Sequence, residues 1–413
     1  MIRIYGDIML DRWIYGETNR LSPEAPVPVL LQKTTKENVG GAGNVAVNLS
    51  SLGICSYLHG TIGDDAEGNS IRNILKSKNI HYHFCYSPVT TTKTRLVSNN
   101  HHIVRLDNEQ YYNNDMSLSS MLSDTNEHDV VLVSDYAKGC VETNTIKSIL
   151  QKTKLVMVDP KLDAERYANA WLVKPNRSEF EKWAGEFSEQ KAAELIDRYN
   201  WQWLVVTLGK DGIFVINRDK EKRYYKEEVH DVVDVSGAGD TVFAVLAYCV
   251  HNGMDVFRAA EYACRAASRV VERSGVSLVT HSDLSNQTVF TNGCFDILHE
   301  GHYHLFRECQ KLGKKIIVGL NSDRSVRELK GESRPIHSQD IRRQNLLDLG
   351  IFHDVVIFDE STPYDLIKRV RPDIIVKGGD YSLSEVIGKD ISAVLLVEYL
   401  TGYSTTKIIS EKR

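Results

Sequence analysis

The sequence predicts an α/β protein of two consecutive units, each built on a mostly parallel sheet covered by helices. Three observations carry this. The 413 residues exceed the length at which a single hydrophobic core usually stops growing, so two domains are expected. Short β-branched or apolar runs at 130–133, 155–158, 203–207, 316–320 and 374–376 alternate with helical patterns, as buried parallel strands joined by crossover helices do. A polar stretch at 281–287 separates an apolar helix ending near Val271 from a new strand at 288–291, after which strand, glycine turn and helix begin afresh. The units are placed at 1–283 and 288–413.

Composition narrows the function classes. With 42% hydrophobic and 25% charged residues the chain is an ordinary folded protein, neither collagenous nor disordered. A formal net charge of −5 removes the sequence-independent attraction on which nucleic-acid binders rely. Seven cysteines without a Cys-x-x-Cys pair fit a reduced, cytoplasmic protein in which each is a small buried apolar residue. The first residues enter a strand without the pattern of a signal peptide. The longest apolar stretch, 241–250, is about half the ~20 residues that span a bilayer, so no membrane segment is expected.

In the first unit the most informative segment is Asp234-Val-Ser-Gly237-Ala238-Gly239-Asp240-Thr241, followed by a helical pattern at 242–251. Two glycines before a helix allow a tight turn and present N–H groups to an anion. Beside a phosphate, Asp240 makes sense as a base taking a proton from an attacking hydroxyl; the alternative is a helix entry with Asp240 as cap. The segment has neither the Gly-Lys-Ser/Thr of a P-loop nor dinucleotide spacing. A second cluster, Gly40-Gly41-Ala42-Gly43-Asn44, opens a helix at 45–52. Its small residues let a ligand approach the backbone and Asn44 offers both a donor and an acceptor to hydroxyls, or the cluster is a tight turn alone.

In the second unit, Thr291-Asn-Gly293-Cys-Phe295-Asp296-Ile-Leu-His299-Glu-Gly301-His302 reads as strand, turn and helix start. His299 and His302 share a helical face, and Gly301 leaves room for a ligand near the backbone. A metal site needs further ligands and usually the His-Glu-x-x-His spacing, which is absent. A phosphate site needs only donors aimed at developing negative charge, as nucleotidyl transfer requires. The nucleophile of that reaction is already an anion, so the site should be rich in cations and poor in catalytic carboxylates. Lys330, Arg334, Arg342, Lys377 and Ser404-Thr405-Thr406-Lys407 supply cations and hydroxyls. Asp296 is read as scaffold support, and His101, His102, Tyr303 and His304 as packing or surface residues.

Taken in order, Gly40-Gly41-x-Gly43, Asn176-Arg-Ser-Glu179, Thr207-Leu-Gly209-Lys-Asp-Gly212 and Asp234-x-x-Gly237-Ala238-Gly239-Asp240 resemble the motifs of the ribokinase-like (PfkB) sugar kinases. The resemblance implies ATP-dependent phosphoryl transfer to a sugar hydroxyl, with Asp240 as base and Gly237, Ala238 and Gly239 as the anion hole. It further implies that Asn176 and Glu179 organise Mg²⁺ and phosphates, Glu179 through water, that Thr207, Gly209 and Gly212 line the nucleotide pocket, and that Asp11, Gly41 and Asn44 serve the sugar. Gly6-Asp7-Ile-Met-Leu-Asp11-Arg, Ser134-Asp-Tyr-Ala-Lys138-Gly and Asp159-Pro-Lys161 are similar to the heptose-7-phosphate kinase branch. A phosphorylated sugar needs cations, for which Lys93, Arg95, Arg105, Lys138 and Lys161 are candidates.

The second unit resembles the cytidylyltransferase-like nucleotidyltransferases, a Rossmann-like fold with a His-x-Gly-His signature, through His299-x-Gly301-His302, Asn321-Ser-Asp323, Lys377-Gly-Gly-Asp380-Tyr381 and Ser404-Thr405-Thr406. The resemblance implies that the histidines and the Ser-Thr-Thr segment hold the triphosphate, with Phe295, Gly301, Lys330 and Arg342 near the nucleotide. Across nearly the full chain the order of motifs resembles bifunctional heptose-7-phosphate kinase/heptose-1-phosphate adenylyltransferases. That likeness implies ATP and Mg²⁺ at both sites, small-molecule substrates, a homo-oligomer such as a dimer, and a separate phosphatase acting between the two steps. Two alternatives stay open: the same fold pair with another sugar phosphate or with CTP or GTP, and a sugar-phosphate sensor without turnover, which the presence of Asp240 argues against.

Overall fold

A computed structural model describes residues 1–99, 101–112, 122, 125–227, 229, 232–273, 277–285, 288–313, 315–378 and 381–398. The chain divides into two compact units, Met1–His251 with Ala263–Val279, and Asn252–Tyr262 with the residues from Thr280 onward.

The first unit begins with β1 (Ile2–Gly6), β2 (Ile8–Leu21), β3 (Pro28–Gly41), α1 (Ala42–Ser51), β4 (Ser56–Gly63), α2 (Ala66–Ser77), β5 (His81–Ser87), β6 (Thr92–Ser98), β7 (His101–Asn108) and β8 (Val130–Ser134). It continues through α3 (Thr143–Lys152), β9 (Leu155–Asp159), β10 (Leu172–Val173), α4 (Arg177–Ala184), α5 (Glu189–Tyr199), β11 (Trp203–Thr207), β12 (Ile213–Asn217), β13 (Lys222–Tyr225) and α6 (Ala238–His251). The next helix, α7 (Val256–Val270), is divided: its residues up to Tyr262 group with the second unit and those from Ala263 with the first. A large sheet runs β13-β12-β11-β10-β9-β8-β1-β4-β5, and a smaller one runs β3-β2-β6-β7. From β11 to β5 the large sheet is parallel, and β8, fully buried, is the apolar run Val-Val-Leu-Val-Ser, as a strand covered on both faces should be. Trp201, Phe180, Phe214 and Tyr167 anchor its core. The smaller sheet is different in kind, since all eight residues of β7 face solvent.

The second unit comprises α8 (His281–Leu284), β14 (Thr288–Gly293), α9 (Glu300–Leu312), β15 (Lys315–Asn321), α10 (Asp323–Lys330), α11 (Gln339–Leu347), β16 (Asp354–Phe358), α12 (Tyr364–Val370), β17 (Ile374–Gly378) and β18 (Ala393–Val397). Its parallel sheet has the order β16-β15-β14-β17-β18. Alternation along β15 sends Ile317 to a cluster with Phe290 and Leu366, and Val318 and Leu320 to another with Phe306 and Leu346, as the two-residue period of a strand dictates.

The first four residues of the polar stretch at 281–287 form α8, in which His281, Asp283 and Leu284 are buried. Thr280 and Asp283 cap one another there, so part of that polarity satisfies a helix end. One expectation needs correction. The helices after the glycine clusters begin earlier than expected, at Ala42 rather than 45 and at Ala238 rather than 242, which places Gly239 and Asp240 inside the first turn of α6.

Candidate functional site

Parallel strands deliver the ends of their chains to one edge of the sheet, where ligands of α/β folds bind. At that edge of the first unit stand Asp7 after β1, Asp135 and Tyr136 after β8, Asp159 at the end of β9 and Thr207 at the end of β11. Asn176 caps α4, its side chain accepting from the Glu179 N–H while the Glu179 carboxylate accepts from the Asn176 N–H, both at 2.9 Å. This reciprocal box also bridges to Thr207 through the backbone. A cavity of about 130 Å³ opens among Asp135, Tyr136, Asp159, Lys161, Lys174, Asn176, Glu179, Thr207 and Gly239. The structure thus brings Asn176, Glu179, Thr207 and Gly239 around one space.

Asp240 lies in the first turn of α6, and the helix is buried from Asp240 to Cys249. Its carboxylate accepts from Asn44 Nδ2 at 2.8 Å and from the Tyr136 hydroxyl at 2.7 Å. Burial raises its pKa; the hydrogen bonds from Asn44 and Tyr136 and the charge of Lys174 hold it down, while Asp11 pushes it up. A buried carboxylate raised in this way, at a helix N-terminus suited to anions, has the properties of a general base for a hydroxyl attacking a phosphate. Lys174 Nζ lies 2.9 Å from Asp159, whose carboxyl burial pushes up to about 7 against the pull of that lysine.

The residues expected to meet the sugar divide. Asp11 is buried and paired with Arg95 at 2.6 Å, and Arg95 stacks its guanidinium over Trp13. Gly40 and Gly41 make room for this arrangement: a Cβ on Gly40 would stand 2.2 Å from Asp11 Oδ2, and Gly41, at φ 60°, would press on the Asp7 carbonyl. Asn44 is buried, donating from Nδ2 to Asp240 and accepting at Oδ1 from Asn48. Lys138 pairs with Glu109, Lys161 with Glu179 and the exposed Arg105 with Asp107. Lys93, half-buried over the Tyr136 ring, has its pKa lowered by burial. Gly212 is placed by the β11–β12 hairpin, where φ 88° and the Tyr225 carbonyl, 2.0 Å from a Cβ, demand glycine. Gly209, also at positive φ, has open space around it.

In the second unit His299 is the N-cap of α9, without a side-chain cap bond, and His302 lies in the first turn. Their rings stack with centroids 3.8 Å apart, and among the described residues the buried Nδ1 atoms of both have no hydrogen-bond partner. Burial, then the neighbouring His299 and Lys330, lower the His302 pKa to about 3, and burial with Lys330 lowers that of His299. Two neutral imidazoles with unspent nitrogens at an open helix N-terminus suit an anionic ligand. Lys330 is exposed at the end of α10. Asp296 accepts from the Ile336 and His337 N–H groups and pairs with Arg334 at 2.8 Å, so it pins the 331–338 loop as scaffold.

Two residues near this site turn their side chains inward. The Phe295 side chain is buried against Phe306 and the edge of His302, while its backbone takes φ 43°; it shapes the turn from inside. Arg342 is wholly buried and donates to Asp323, the Cys294 carbonyl and the His337 carbonyl. Asp380, Ser404, Thr405 and Thr406 lie outside the described residues.

Sequence reasoning missed Asp7, Asp135, Tyr136, Asp159 and Lys174 as members of the first site. The segments around Asp135 and Asp159 were in view, but only their lysines were read as functional. Among the described residues no three of His, Cys, Asp or Glu stand close enough to hold a metal ion, and no helix is long and apolar enough to cross a membrane.

Residues 1–282 match the profile of the pfkB family carbohydrate kinases, and residues 290–411 the cytidylyltransferase-like profile. The bifunctional protein HldE of Coxiella burnetii (strain Dugway 5J108-111) is 38% identical over 99% of this chain and 96% of its own length. The protein of the same name from a Nitratiruptor species is 36% identical over 100% and 99%. Phosphofructokinase-2 from Escherichia coli in complex with substrates and products aligns over 68% of this chain and 96% of its own with TM-score 0.60 at 18% identity. Ribokinase from Thermotoga maritima does so over 67% and 94% with TM-score 0.54 at 19% identity. At such identities these two structures speak for the fold alone. The whole-length relatives speak for more: this chain belongs to the bifunctional HldE family, an enzyme with a pfkB-type sugar kinase in its first unit and a nucleotidyltransferase in its second.

Proposed function

We propose that the first unit phosphorylates D-glycero-β-D-manno-heptose 7-phosphate at C1 with ATP, and that the second transfers an adenylyl group from ATP to D-glycero-β-D-manno-heptose 1-phosphate. The products of the second step are ADP-heptose and pyrophosphate. The observation that carries the kinase reading is the buried Asp240 carboxylate in the first turn of α6, held by Asn44 and Tyr136 beside the cavity. The C1 oxygen attacks the γ-phosphorus, the bond to the β–γ bridging oxygen breaks, ADP leaves, and the proton of the hydroxyl passes to Asp240. The α6 N-terminus at 237–239 faces the transferred charge, and Asp11, fixed by Arg95, meets the sugar hydroxyls. In the second unit an oxygen of the sugar 1-phosphate attacks the α-phosphorus of ATP and pyrophosphate departs. No proton needs to move, and His299 and His302 donate to the charge that develops.

Mg²⁺ accompanies ATP at both sites and offsets triphosphate charge. Glu179 fits a water-mediated role, because both of its oxygens already have protein partners, Asn176 and Lys161. The enzyme works in the cytoplasm as a homo-oligomer, and a separate phosphatase removes the 7-phosphate between the steps. Asp240→Asn tests the reading: kinase turnover is expected to fall by about 10²–10⁴-fold, with adenylyl transfer to supplied sugar 1-phosphate unchanged. Undiminished phosphorylation of heptose 7-phosphate by the variant overturns the assignment of the base.

A further inference from the structure

The two oxygens of Asp240 are held from opposite directions, Oδ2 by Asn44 on α1 and Oδ1 by Tyr136 on the turn that follows β8. Two carboxylates restrain that turn. Asp7 accepts from the N–H groups of Tyr136, Lys138 and Cys140 at 2.8, 3.1 and 3.0 Å. Asp135 accepts from the Ala137 N–H at 2.8 Å and is itself anchored by the Tyr167 hydroxyl at 2.8 Å. Between them Ala137 takes φ 58°, a left-handed conformation that a residue with a Cβ rarely adopts unless its surroundings impose it. Two buried carboxylates thus fix a strained turn, and the phenol of that turn points at the proposed base.

We propose that Tyr136 is a positioning residue for phosphoryl transfer: with Asn44 it sets the rotation of the Asp240 carboxylate and leaves the second lone pair of each oxygen for the attacking sugar hydroxyl. The proposal rests on Asp240 as base. Burial and the charge of Asp240 raise the Tyr136 pKa well above its usual value, so the phenol keeps its proton and donates. Lys174, Asp11 and Asp159 are the other charges that act on this carboxylate, the first favouring its ionised form and the two acids opposing it. A hydrogen bond to the ionised form lowers the pKa of the base. Removing it raises that pKa, and the rate then falls at a higher pH on acidification.

Tyr136→Phe in the full chain is the test, assayed for both activities beside the wild type and Asp240→Asn. Kinase kcat is expected to drop roughly ten- to a hundredfold, as loss of a hydrogen bond to a charged group implies. The KM values stay close to wild type, the acid limb of the kcat profile moves to higher pH, and adenylyl transfer and the melting temperature do not change. Wild-type kcat and an unmoved acid limb in Tyr136→Phe, alongside a dead Asp240→Asn, overturn the proposal and leave the base in place. A loss of kcat with an unmoved acid limb and a lowered melting temperature assigns Tyr136 to the fold and overturns it as well. An active Asp240→Asn instead removes the base, and the positioning role with it.

Discussion

His302 is the counterpart of Asp240 in the second unit, a half-buried titratable group whose surroundings oppose its charge. With its pKa lowered to about 3, it is neutral around pH 7 and has an N–H to donate without first losing a proton. His302→Ala is expected to reduce adenylyl transfer by about 10²–10³-fold, the cost of a donor at a comparable electrostatic site, and to leave phosphorylation of the sugar intact; pyrophosphate release measured with supplied sugar 1-phosphate checks this. What was legible in the sequence was placement: Asp240, His299 and His302 stand at helix starts, as the glycine-containing segments around them suggested. A role that depends on what the side chain meets was not legible. Asn44 turns to Asp240, 196 positions away in the chain, and Phe295 turns into the core; neither partner can be inferred from local spacing. Tyr136 escaped for the same reason, since its partner is 104 positions away.

At the scale of elements, the two sites use the same device, a strand whose end feeds a helix start, and differ in how the following loops are secured. In the second unit the turn after β14 is tied to α10 and α11 by Arg342, which joins the Cys294 and His337 carbonyls to Asp323. Arg342→Leu is expected to destabilise the unit by about 3 kcal/mol or more, because it removes one partner of a buried charged network. Urea unfolding followed by loss of adenylyl transfer, with the nucleotide KM measured on the folded fraction, separates this from a binding role: a lowered midpoint with little change in KM is the expected pattern. Strands were the most legible elements, since buried apolar runs such as β8 and β11 admit few other readings. Helix starts were the least. Glycine clusters suggested that α1 and α6 begin after them, whereas the buried faces of both helices extend back to Ala42 and Asp240.

For the whole molecule, the two activities draw on separate sets of residues, and their order follows from chemistry: the kinase makes the anomeric phosphate that the nucleotidyltransferase uses as nucleophile. Purified full-length chain given heptose 7-phosphate, ATP and Mg²⁺ is expected to yield ADP and a bisphosphate alone, and ADP-heptose once a 7-phosphatase is added. Mass spectrometry of the mixture decides, and nucleotide-sugar formed without the phosphatase would refute the order. The division into two α/β units was readable from length, strand alternation and the restart after 281–287; the inclusion of Asn252–Tyr262 in the second unit was not, because a helix carries no local mark of which core it will join.

α6 has one more consequence. Protein encloses it from Asp240 to Cys249, so the proposed base is built into the body of its unit like an anvil and has no path along which to travel. The attacking hydroxyl is therefore brought to a carboxylate whose backbone the core of the unit encloses.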